Sequence, residues 1–128
     1  MNLGLVKMNI LSWLYLINAI LLINHEIDSA YWKEWELFKL PGGINGFLLV
    51  HFPILFFILF GLALLIQNNP IGLIFSLILA LGGIFAFTIH MVFISKGKKQ
   101  FNTPLSLFIL ISTLIVSIAQ LFYTIMAF

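Results

Sequence analysis

The chain contains no cysteine and no arginine. Without cysteine there is no disulfide framework, no thiolate nucleophile and no zinc site built on sulfur. Charge of either sign is scarce: six lysines and four acids leave a formal +2 across 128 residues. So weak and scattered a charge does not point to nucleic acid as a partner. Several catalytic signatures are missing as well. The stretch HEIDS, His25 to Ser29, puts serine where a zincin helix needs its second histidine. There is no GxSxG elbow, Walker loop or EF-hand loop. No serine stands at a recognisable motif spacing from a histidine, which argues against a serine hydrolase.

What is abundant is apolar surface. Hydrophobic residues make up 62% of the chain, more than a single domain of this size can hide from water. The solvent for this chain is therefore lipid. Three runs, Ile44–Ile66, Ile71–Ser95 and Pro104–Phe128, each exceed the ~20 residues a helix needs to cross the hydrocarbon core. Asn68 and Asn69 suit the cap of a helix opening at Pro70, and Thr103 suits one opening at Pro104. KLPGG (Lys39–Gly43) and QNNP (Gln67–Pro70) break the chain between spans.

The first span is less regular. Its clean apolar part, Met8–Ile23, is about 24 Å long as a helix, short of a core of about 30 Å. Extension to Tyr31–Trp32 restores a full span and ends it on an aromatic pair. That brings His25, Glu26 and Asp28 within the membrane profile. The competing reading stops at Asn24 and lays Asp28–Lys39 flat at the interface. Thickness matching favours extension. Met1–Ile23 lacks a small-residue cleavage site and reads as a retained helix. Five lysines (Lys33, Lys39, Lys96, Lys98 and Lys99) fall at one end of the bundle and only Lys7 at the other. The positive-inside rule then makes the 33–43 and 95–103 loops cytoplasmic and puts both termini outside.

All three histidines fall toward the lysine-rich end. With boundaries at Trp32, Ile44 and Ser95, His25, His51 and His90 lie at a matched depth of about 7–11 Å. Asn18, His25, Asp28 and Trp32 share a stripe of the first span. Gly72, Ser76, Ala80, Gly83 and His90 share one on the third, and small residues bring it into the bundle. Pro53, just after His51, frees the carbonyl of Leu49. Thr113, Ser117, Gln120 and Thr124 line the fourth span as interhelical glue. An ionised acid in lipid costs about 3 kcal/mol, so it needs a partner, a proton, water or a metal. Three imidazoles and a carboxylate suit a divalent transition metal such as zinc, iron or manganese. The expected ligands are therefore His25, Asp28, His51 and His90. Glu26 or Glu34 suits the role of general base or of an outer partner that orients an imidazole, with Glu26 the first candidate for the catalytic role.

The segment from Asn24 to Pro53 resembles a group of small bacterial four-span membrane proteins classed as a domain of unknown function. The shared pattern is a histidine with an acid three residues on, then Tyr-Trp, Glu-Trp and Leu-Pro-Gly-Gly. Here these are His25, Asp28, Tyr31–Trp32, Glu34–Trp35 and Leu40–Gly43. The resemblance implies a compact integral membrane protein from a bacterium, and so a place in a bacterial inner membrane, and lends no activity.

The expected fold is all-α: a single transmembrane domain over 1–128, an up-down-up-down four-helix bundle. Its helices are expected at about 8–32, 44–66, 70–95 and 103–127, with an aromatic and charged interfacial segment at 31–43. The leading functional reading is a metal-binding membrane protein, extending to a metal-dependent enzyme on a lipid-soluble or interfacial small molecule. The alternative is a non-enzymatic subunit, or a ligand- or partner-binding protein, whose His/Asp cluster is structural. Its partners are then the lipid bilayer and another membrane protein or a second copy of the chain. A transport pathway is disfavoured, because polar groups do not line the bundle from end to end.

Overall fold

The computed structural model describes residues 7–128. The N-terminus and the first part of the Met1–Ile23 stretch lie outside the described residues. Helix α1 spans Ile10–Tyr31. Asn9 caps it, its side-chain oxygen accepting the Ser12 N–H at 2.8 Å. No glycine or proline interrupts the run, so nothing stops the helix at Asn24, whose amide folds back onto the Ile20 carbonyl at 2.9 Å. Its 22 residues extend about 33 Å, enough to cross a hydrocarbon core. Trp32 ends α1, and Lys33 turns the chain with a left-handed backbone (φ 52°, ψ 53°). The short helix α2, Glu34–Leu37, follows at once.

Helices α3 (Gly43–Ile66), α4 (Ile71–Ser95) and α5 (Pro104–Ala127) complete the bundle. Asn69 accepts the Ile71 N–H at 3.0 Å and so opens α4. Thr103 accepts the Ser106 N–H at 3.2 Å and opens α5, with Pro104 in its first turn. All four long helices are long and apolar enough to cross a membrane, the mark of an integral membrane protein. Chain reversals alternate their direction. Helices α1 and α4 each pack against α3 and α5 and also touch each other, whereas α3 and α5 do not meet. The bundle is thus a flattened square with α1–α4 as its short diagonal.

The interior is polar where α1, α4 and α5 converge, in the half of the bundle away from the lysine-rich end. Asn18 Nδ2 donates to Gln120 Oε1 at 2.7 Å and to Ser117 Oγ at 3.0 Å. Gln120 Nε2 donates to the Ser76 carbonyl and hydroxyl, both at 3.0 Å. The Ser76 and Thr124 hydroxyls share a hydrogen bond of 2.7 Å. Lipid cannot satisfy such groups, so each is useful only against another helix. Glycines let the backbones close in around this network, and Gly83 faces Ser117 and Thr113. Nearby, the Tyr15 hydroxyl donates to the Ile58 carbonyl at 2.8 Å, joining α1 to α3. Outward, Phe52, Phe56, Phe85 and Phe108 are exposed and form an apolar belt suited to acyl chains.

Candidate metal centre

The short diagonal carries the two histidines that meet. His25, six residues before the end of α1, and His90, five before the end of α4, lie about 9 and 8 Å inside the lysine-rich end. Their rings form a T with centroids 4.5 Å apart. Both are buried, at 2% and 1% exposure. Phe101 covers them from the α4–α5 loop, its ring 5.6 Å from His25 and 4.3 Å from His90. Its own backbone is left-handed (φ 63°).

The third member comes from α2. The turn at Lys33 lays this helix across the bundle end. Trp35 packs on Phe47 of α3 and Phe38 on Phe93 of α4. Glu34 then points back into the bundle, with Oε1 3.0 Å from His90 Nε2. One ligand atom each of His25, Glu34 and His90 lies within 4.8 Å of the other two.

The protons decide what this group can hold. His90 Nδ1 lies 2.6 Å from the Ala86 carbonyl, which only accepts. That nitrogen carries the hydrogen, so in a neutral ring Nε2 presents a lone pair. A lone pair 3.0 Å from a carboxylate oxygen is repulsive unless a proton or a metal ion lies between them. Yet Nε2 has no aligned hydrogen bond, and neither has His25 Nδ1. One nitrogen of each ring and a Glu34 oxygen are close enough together to share an ion. Burial alone would raise the Glu34 pKa. The neighbouring His90, Ser29 and His25 outweigh it and hold the carboxyl below its ordinary value of 4.5. Ser29 is near enough to favour the charged carboxylate, although its Oγ completes no well-formed hydrogen bond.

The other expected ligands lie elsewhere. His51 is half-buried between α1 and α3, with Nδ1 2.6 Å from the Phe47 carbonyl and Nε2 2.5 Å from Glu26 Oε2. Two bonds need two hydrogens, one on Nδ1 and one shared with Glu26. The pair is therefore neutral as a unit, whichever partner holds the shared proton, and that suits it to lipid. Glu26, the expected base, is engaged there. Asp28 lines a separate groove between α1 and the start of α5, with Asn24, Tyr31, Thr103 and Ser106. The structure thus brings His25 and His90 together, adds Glu34, and leaves His51, Glu26 and Asp28 outside that close group, with Glu26 still near enough to feel the charges of Glu34 and His90.

Fold and site together define a helical membrane protein with a buried His–Glu–His cluster at one end of its bundle. The chain belongs to DUF6713, a family of unknown function, whose model matches residues 11–127. No curated protein and no solved structure matches the chain.

Proposed function

We propose that this protein binds a divalent transition metal (zinc, iron or manganese) through His25, Glu34 and His90, at the cytoplasmic end of a bacterial inner-membrane bundle. One observation carries the reading. One ligand nitrogen each of the buried His25 and His90 and a carboxylate oxygen of Glu34 lie within 4.8 Å of one another, and each ring has a nitrogen without a hydrogen-bond partner. Two neutral nitrogens and one charged oxygen suit these metals. Three protein ligands leave a coordination position open, the arrangement by which a metal polarises a substrate oxygen or activates water. Lysine counting supports the orientation, with the loop that bears Glu34 on the cytoplasmic side.

A second reading keeps the cluster structural. It is favoured by the Glu26–His51 pair, which is satisfied within the chain and ties α1 to α3 without a ligand. On this reading His90 is an imidazolium paired with Glu34. Metal analysis separates the two. Protein purified in mild detergent without a metal-binding tag is expected to carry one equivalent of metal. His90→Ala and Glu34→Gln lose it and His51→Ala keeps it. Folded wild-type protein that neither carries metal nor takes it up on titration removes the metal reading.

A further inference from the structure

Asp28 is an acid at membrane level for which the bundle supplies no partner. Glu26 and Glu34 face histidines, and Glu36 is exposed on α2. Asp28 is half-buried and lies three residues before the end of α1, about 4.5 Å inside it. Among the described residues its carboxylate makes no ion pair and no hydrogen bond; those of the region join other groups. At the boundary between headgroups and acyl chains, a carboxylate calls for a counter-charge.

Its surroundings describe what would supply one. Asp28 stands in a groove of about 250 Å³ where α1 meets the start of α5, with Asn24, Ile27, Tyr31, Thr103 and Ser106. That is several times the ~30 Å³ share of one water. The polar lining is rich in acceptors. The Asn24 amide donates to the Ile20 carbonyl at 2.9 Å, which leaves Oδ1 to accept. The Thr103 and Ser106 hydroxyls are 2.6 Å apart and share a hydrogen, and Thr103 also takes the Ser106 N–H. Asp28 adds two oxygens that only accept. No lysine lines the groove; the five at this end of the bundle sit in the connections beyond the long helices. An occupant must therefore bring both positive charge and N–H donors. It must also have an apolar part, because Ile27 and Leu105 are exposed beside Asp28 and Ile109 carries the lining about 7.5 Å along α5. A hydrated metal ion lacks the apolar part, and a choline headgroup lacks the N–H.

We propose that this groove binds a phospholipid with an ethanolamine headgroup. Its ammonium donates to Asp28 and to Asn24 Oδ1, and an acyl chain lies along Ile27, Leu105 and Ile109. The site is separate from the His25–Glu34–His90 group and needs no metal. It ties one lipid to the α1–α5 seam at the level where both helices reach the cytoplasmic surface.

Native mass spectrometry of the full chain in mild detergent tests it. The protein is titrated with dioleoyl lipids whose headgroups run from ethanolamine through its N-methyl and N,N-dimethyl forms to choline. The acyl chains and phosphate stay constant while the N–H donors are removed. In wild type, affinity is expected to fall along the series and to be at least about tenfold lower for choline than for ethanolamine, the loss of a hydrogen bond between charged groups. Asp28→Asn levels the series. Asn24→Ala weakens ethanolamine-lipid binding about fivefold. Glu36→Gln removes an acid at the same end but outside the groove, and leaves the preference intact. Should Asp28→Asn fail to fold, the wild-type series and Asn24→Ala decide. Equal binding along the series, or a preference that survives in Asp28→Asn, overturns the site. So does a lipid-free dimer that Asp28→Asn dissociates, because a second copy of the chain then covers the groove.

Discussion

Adjacent glycines on α4 provide a sharp test of the packing. A Cβ at Gly82 meets nothing within 4 Å. One at Gly83 lands on Ser117 Oγ, 3.1 Å from Thr113 Cγ2 and 3.2 Å from Ser117 Cβ. Gly→Ala raises helix propensity by about 1 kcal/mol at either position, so that gain cancels between the two variants and the difference isolates the clash. Overpacking costs about 1–3 kcal/mol. Displacing Ser117 also breaks its bond from Asn18, worth about 0.6 kcal/mol in a membrane interior. Gly83→Ala should therefore be about 1.6–3.6 kcal/mol less stable than Gly82→Ala. The assay is reversible unfolding in mixed micelles at rising SDS fraction, read by circular dichroism. Ser117→Ala removes the nearest atom but leaves two tight carbons, so it should recover about 1 kcal/mol of the Gly83→Ala cost. Equal midpoints for the two single variants, or no coupling to Ser117, would refute the close α4–α5 approach.

Gln120→Leu removes the hub between Asn18 and Ser76 and should cost about 1–3 kcal/mol in the same assay, because their buried polar groups lose a partner. His51→Ala leaves Glu26 without its shared proton and should destabilise more than Glu26→Gln, which can still donate to the ring; paired unfolding curves check the order. Metal-free protein should show an acid-sensitive contribution from Glu34. Its pKa is held below 4.5 in the fold, so the stabilisation is present above that value and is lost as pH falls through the lower folded one. Thermal melts of wild type and Glu34→Gln should differ near neutrality and converge only as pH falls through the lowered folded pKa.

The all-α bundle was legible because lipid makes one demand, a long apolar helix, and the sequence meets it between clear breaks. The polar stripe of α5 was legible for the same reason: hydroxyls and an amide at helical spacing in lipid must face other helices. The centre was legible only in part. His25 and His90 sit on long helices whose ends and faces periodicity determines, and depth counting brought them level. Glu34 was visible as an acid in an interfacial segment, but its approach to His90 depends on a left-handed lysine, which no glycine or asparagine announces. His51 had a suitable depth and the wrong partner, because depth says nothing of rotation about the helix axis; Glu26, about 100° round from His25, faces α3 and captures it. Phe101 lies in a loop otherwise rich in lysine and amide, so nothing in its neighbours marks it as a plug.

The turn at Lys33 has a consequence for how the cluster is completed. Nine positions separate His25 from Glu34, and an unbroken helix would put them on opposite sides, about 180° apart. A single peptide unit wound to the left (φ 52°) cancels that half-revolution. The fold of the carboxylate beneath its imidazoles thus hangs on the backbone of one lysine at the end of the bundle: with Lys33 in a right-handed helical conformation, Glu34 would face away from His25.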